Sequence, residues 1–122
     1  MPVVIGIAVA GAVGALARYG LDELIGRRAG AFPWGILVVN ITGAFLIGVM
    51  TEALEPRFED SWVRLAVVTG FLGAYTTFST LSLDTYRLLE LGHTGQAFFN
   101  AFGTLFAGLL AVWVGLEVGK AL

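Results

Sequence analysis

The residues able to do chemistry in this chain are few, mostly uncharged, and set in apolar sequence. Asn40 lies within residues 33–51, a run without a single charged side chain. An amide in such surroundings is costly unless it is hydrogen-bonded. Two readings are open for it. It can bond a neighbouring helix, worth about 1 kcal/mol in a membrane, or it can turn an N–H donor towards an anion. On a helix its face continues through Gly43, Ala44, Ile47 and Gly48.

A denser signal is Gly70-Phe71-Leu72-Gly73-Ala74-Tyr75-Thr76-Thr77-Phe78-Ser79-Thr80-Leu81-Ser82. Glycine weakens a helix interior, and hydroxyls follow at once. Ser and Thr can re-satisfy backbone groups freed where a membrane helix breaks. A break would also release carbonyls, which in membranes bind hard cations. The alternative is an unbroken helix whose hydroxyls bond back to their own carbonyls. Further along, Gln96, Asn100 and Thr104 recur every four residues and share one helix face. Arg18 closes an uncharged run. It either raises the local anion concentration or snorkels to headgroups. Asp84, Glu117 and His93 read as solvated positions at the ends of runs.

Several chemistries are not expected. Cysteine is absent and His93 is the single histidine, which argues against thiolate or histidine-built metal sites. No nucleophile–base pair or acid pair is visible, so an enzyme is not expected. Net charge is -2 with no basic cluster, which excludes the footprint of a nucleic-acid binder.

The elements that must position these groups are membrane helices. Of the 122 residues, 57% are hydrophobic and 13% charged, and mean hydropathy is +0.86. A water-facing surface needs about twice that share of charge. A bilayer core takes roughly 20 apolar residues in helix, and residues 1–17, 33–51, 65–83 and 95–116 each qualify. The pattern predicts helices over about 2–20, 33–52, 62–91 and 95–119, a single transmembrane domain over 1–122. Phe32, Trp34, Trp62 and Trp113 sit near span ends, where amphipathic rings favour the headgroup level. The N-terminus has neither a basic n-region nor a cleavage site, so no cleavable signal peptide is expected. Small-residue stripes at Gly6, Ala10 and Gly14, at Ala66, Gly70 and Ala74, and at Gly115 and Gly119 predict close helix packing.

Orientation is nearly unbiased. One side would hold Arg57, Arg64 and Lys120 with the N-terminal amine, the other Arg18, Arg27, Arg28 and Arg87. Lysine and arginine bias sets topology, so insertion in both orientations is expected. The alternative is a weak bias that still fixes one orientation; dual insertion would permit an antiparallel dimer with inverted-repeat geometry.

Gly14-Ala-Leu-Ala-Arg18-Tyr19, Val39-Asn40 and the run from Gly70 to Thr80 resemble, in order and spacing, the CrcB/Fluc fluoride channels. The resemblance extends over nearly the whole chain, to Gly108-Leu109 and Trp113-Val114-Gly115. It implies an all-α membrane protein whose third helix is broken near 73–77, assembled as a dual-topology dimer with two antiparallel pores. It implies passive fluoride export across a bacterial cytoplasmic membrane, relieving fluoride toxicity. It implies a structural, untransported Na⁺ on the two-fold axis, held by the backbone carbonyls of Gly73 and Thr76. By position, Asn40, Phe78, Ser79 and Thr80 match pore residues, Asp84 the next acidic position, and Arg18 the vestibule arginine. Thr104 fits the family's small hydroxyl on the fourth helix. Asn100 and Gln96 stand where Ser and Tyr are usual, so the pore role of Asn100 is an expectation with altered chemistry.

The chemistry is consistent. A small, strongly hydrated halide needs donors in place of water, and Asn, Ser and Thr donate. An aromatic edge is positive, so Phe78 can meet an anion edge-on. Where the family has a second pore phenylalanine, this chain has Leu81. One ring then suffices, or Phe98, Phe99 or Phe102 compensates, or a homologous partner supplies the ring. A homodimer is expected, with a heterodimer as the alternative. A small multidrug exporter would need a membrane-buried acid, and no span interior has one. A helper subunit would explain the glycines but not Asn40 with the hydroxyl run.

Overall fold

The computed structural model describes residues 2–26, 32–58 and 61–122, and every regular element among them is helical. Helix α1 is Pro2–Gly26 and α2 is Trp34–Phe58. The third span, Trp62–Glu90, is a composite. It runs through α3 (Trp62–Leu65), a π-helical stretch (Ala66–Leu72), α4 (Gly73–Tyr75) and α5 (Phe78–Glu90). The fourth span, Thr94–Ala121, joins α6 (Thr94–Phe98), a second π-helical stretch (Phe99–Gly103) and α7 (Thr104–Ala121). Four helices are therefore long and apolar enough to cross a membrane. Arg27, Arg28 and the side chain of Arg57, which enter the charge comparison above, lie outside the described residues.

The outside of this bundle is apolar. Val4, Val9, Leu16, Leu105, Leu109 and Trp113 are all exposed. Water would not tolerate apolar surface on that scale, and lipid is the solvent that suits it. Tight packing falls to the glycines. A Cβ at Gly14 would collide with the Phe71 carbonyl, and one at Gly70 would come within 2.8 Å of the Ile7 carbonyl. The small-residue stripes of the first and third spans thus face each other, and α1 packs along the π stretch and α4. On the opposite side α2 makes its largest contact with α7. There a Cβ at Gly115 would strike the Phe45 carbonyl, and one at Gly119 would lie 2.7 Å from the Val49 carbonyl. Without a hydrophobic drive between helices in lipid, such backbone proximity is what holds them.

The ends are capped by local chemistry. Ser61 Oγ accepts from the Val63 N–H at 3.0 Å and starts the third span. α5 stops at Gly92, whose φ of 82° needs the missing Cβ. The His93 N–H reaches the Leu88 carbonyl at 2.9 Å and the Gly92 N–H the Leu89 carbonyl at 3.1 Å, a Schellman closure. Leu88 packs with Phe32, Leu37 and Ala97 in a small core, and the Phe32 ring lies 4.6 Å from Trp34 and 5.5 Å from Phe99.

Candidate functional site

Thr76 is the central residue of the third span, and there the helical backbone stops. Thr76 (φ -85°, ψ 153°) and Thr77 (φ -149°, ψ 116°) are extended, and helix resumes at Phe78. Two extended residues free backbone groups that lipid cannot satisfy, so each needs an identified partner. Both the N–H and the hydroxyl of Thr76 donate to the Leu72 carbonyl, each at 3.0 Å. The Thr77 N–H donates to Asn40 Oδ1 at 2.8 Å, and Asn40 Nδ2 donates to the Thr77 carbonyl at 3.2 Å. One primary amide thereby satisfies both backbone groups of one residue. The Ala74 carbonyl accepts from Arg18 Nε at 3.3 Å, which brings a cation to the negative, C-terminal end of the helical run. Because the Thr77 N–H is turned to Asn40, the Gly73 carbonyl loses the donor that a continuous helix would supply.

The restart at Phe78 is local in origin. Thr77 is the N-cap of α5, its Oγ1 accepting from the Thr80 N–H at 3.3 Å. The Thr77 hydroxyl donates to Thr80 Oγ1 at 3.2 Å and also lies 3.2 Å from Ser79 Oγ. A hydroxyl has one proton, so Ser79 donates to Thr77 and the proton of Thr80 is left uncommitted. Gly43 lets α2 come this close. A Cβ there would collide with the Thr76 methyl and sit 3.2 Å from the Tyr75 ring. One residue back on each side of this contact, Thr42 Oγ1 and the Tyr75 hydroxyl share a 2.9 Å bond.

Two open grooves of about 310 Å³ each meet at Asn40, Ala44, Thr76 and Val112. Gly43, Leu72 and Gly73 line the first. Thr77, Phe78, Leu81 and Thr104 line the second. A third groove, about 530 Å³ and mostly apolar, runs on from Phe78 and Leu81 past Thr85 to Phe102 and Thr104. No residue lining these three is charged.

The residues singled out from the sequence are thus distributed unequally. Asn40, Phe78 and Thr104 come together on one groove, and Gly73 with Thr76 on its neighbour. Ser79 and Thr80 line neither and belong to the N-cap cluster. Phe78 is 81% exposed. Thr104 is buried, with its hydroxyl unpartnered. Asn100 is wholly buried and reaches Thr85 Oγ1 at 2.9 Å, while Gln96 is exposed. Of the aromatics considered beside Leu81, Phe102 shares a groove with Phe78, Phe98 stacks on Phe102, and Phe99 is taken up by Phe32 and Trp34. Thr77, Thr85 and Gly43 were not anticipated as partners. The N-cap spacing of Thr77 and Thr80 carried a signal for the first, whereas the other two depend on which helices meet.

Fold and site together define a small multi-pass membrane protein whose uncharged polar groups gather where a span leaves helical geometry. The family model described as CrcB-like protein, Camphor Resistance (CrcB), matches residues 5–116. A protein of Acidobacterium capsulatum named fluoride-specific ion channel FluC is 45% identical over 117 residues, covering 93% of each chain. A FluC of Geobacter sulfurreducens is 43% identical over 127 residues and covers 100% of both chains. A third, from Thermus thermophilus, is 44% identical over 117 residues, 95% of this chain and 94% of its own. The chain belongs to the CrcB-like family, a family of ion channels, and is not an enzyme.

Proposed function

We propose that this chain is a fluoride-selective channel through which the ion leaves passively down its gradient. The relatives' names support the ion. The observation that carries the site is the double hydrogen bond between Asn40 and Thr77. Thr77 uses one amide hydrogen of Asn40 and leaves the second for an anion in the adjoining grooves. The uncommitted hydroxyls of Thr80 and Thr104 add donors, with Ser79 ordering the cluster. The exposed Phe78 presents a positive ring edge. Fixed cations would hold an anion too long, since conduction needs several weak sites, and the uncharged groove linings agree with that.

The extended pair Thr76–Thr77 is, in this reading, the break of the third helix at membrane depth. Gly73 and Thr76 line one groove, and the Gly73 carbonyl, whose helical donor is turned to Asn40, would face it together with the Thr76 carbonyl. Hard oxygen donors of this kind suit Na⁺, as at other unwound membrane helices. In an antiparallel homodimer two such pairs would meet across the axis and supply four oxygens to a structural, untransported ion. That charge would fix the two halves together. Dual topology draws on the balanced lysine and arginine count, and each dimer would carry two pores in a bacterial cytoplasmic membrane. Leu81 keeps a heterodimer with a homologue as the second arrangement. Arg18, tied to the Ala74 carbonyl through Nε, keeps its remaining guanidinium donors for the pore mouth. Fluoride efflux from liposomes holding the purified chain tests the proposal. Fluoride should leave while chloride stays. Efflux no faster than from empty liposomes refutes it.

A further inference from the structure

Helix α5, which carries Phe78, Ser79 and Thr80 at its N-terminus, is attached to the bundle lopsidedly. It touches the first half of the fourth span and only lightly touches α2. Among the described residues, a single side-chain hydrogen bond joins α5 to the fourth span, from Asn100 Nδ2 to Thr85 Oγ1. The Thr85 hydroxyl proton goes to the Leu81 carbonyl at 2.8 Å, so Thr85 can only accept from Asn100. That fixes the amide's orientation and leaves Asn100 Oδ1 buried without a partner. A wholly buried amide with one orphaned acceptor is a poor choice for packing alone, because an unpaired buried polar atom destabilises. Asn100 also lies in the π-helical stretch Phe99–Gly103, and such irregularities in a helix concentrate at functional sites.

We infer that Asn100, acting through Thr85, is a positioning residue that sets where α5 stands against the fourth span, and so how Phe78 faces Thr104 across their shared groove. The inference rests on the fluoride-channel reading for its effect on flux, though not for its effect on α5. One bond holds the middle of the helix. The Asn40–Thr77 pair holds the N-terminal side, and Leu88 in its small core holds the C-terminal side. Releasing the middle lets the groove between Phe78, Leu81 and Thr104 change width without unfolding the bundle.

The test compares wild type with Thr85→Ser and with the double variant Thr85→Val/Asn100→Leu. The double variant replaces both partners by apolar groups of similar shape, which leaves no new orphan and keeps stability near wild type. Amide hydrogen exchange in detergent over residues 78–90 should quicken about fivefold in the double variant, the factor that one net hydrogen bond carries. Exchange in α2 and α7 should stay as it was. In liposomes the double variant should lose fluoride efflux by at least about fivefold, with the melting temperature held. Thr85→Ser, which keeps the hydroxyl, should match wild type in both measurements. Unchanged exchange over 78–90 overturns the inference, as does faster exchange spread evenly over all four spans. Wild-type efflux at the empty-liposome rate would refute the channel reading instead, with the exchange comparison still judging the role of Asn100.

Discussion

The glycine seams and the polar junction solve the same problem, helix association in lipid, in opposite ways. Where α2 meets α7, and α1 meets the π stretch, backbones touch through missing side chains at Gly115, Gly119, Gly14 and Gly70. At these glycines the contacts are intolerant of a single added carbon. Where α2 meets the Thr76–Thr77 pair, helix geometry is given up, and a side-chain amide replaces the backbone bonds that were lost. Grooves open on both sides of it. One region maximises contact. The other gives up contact and retains unused hydrogen-bond donors. A channel needs both, since donors can stay unsatisfied only inside a frame that does not adjust to satisfy them.

The contrast can be broken from either side. The largest effect is expected at the seam. Gly115→Val drives a side chain into the Phe45 carbonyl and should cost about 3 kcal/mol, the upper range of overpacking. Titration with a denaturing detergent would register it as an early loss of folded protein. At the junction, Asn40→Leu strands the Thr77 N–H and carbonyl together, which at buried sites destabilises by about 2 kcal/mol. The same titration should place it between wild type and Gly115→Val. Thr77→Val removes the N-cap of α5 and should lower stability by about 1 kcal/mol, whereas Thr77→Ser should not. Gly92→Ala, which puts a Cβ on a residue at φ 82°, should also cost about 1 kcal/mol, read as a small drop in melting temperature with fluoride flux untouched. If Asn40→Leu proved as stable as wild type, the junction would be ordinary packing and the contrast would dissolve.

Much of the frame was legible in the sequence. Four uncharged runs of membrane length and three small-residue stripes need only period and composition, and each stripe lies where helix backbones come close. The junction was legible only as a list of ingredients. Asn40 could equally have bonded a neighbour or an anion, and the structure shows why the alternatives were not exclusive: its amide bonds Thr77 with one hydrogen to spare. Ser79 and Thr80 read alike as donors, but Ser79 turns its proton to the Thr77 cap while Thr80 accepts from Thr77 and keeps its own. The π-helical stretches left no compositional trace. Asn100 and Thr104 are buried while Gln96, on the same nominal face, is exposed, and the inward position one turn before Asn100 is held by Ala97.

The central claim is that an uncharged amide beside an extended pair of threonines supplies the donor a bare halide requires. Fluoride-electrode recordings of efflux from liposomes, taken side by side for wild type and Asn40→Asp, address it most directly. Aspartate keeps the acceptor for the Thr77 N–H, removes the donor and adds a repelling charge. Rapid wild-type efflux with a variant at least about tenfold slower, a difference near 1.4 kcal/mol, is the expected result. A folded Asn40→Asp protein that passes fluoride at the wild-type rate would contradict it.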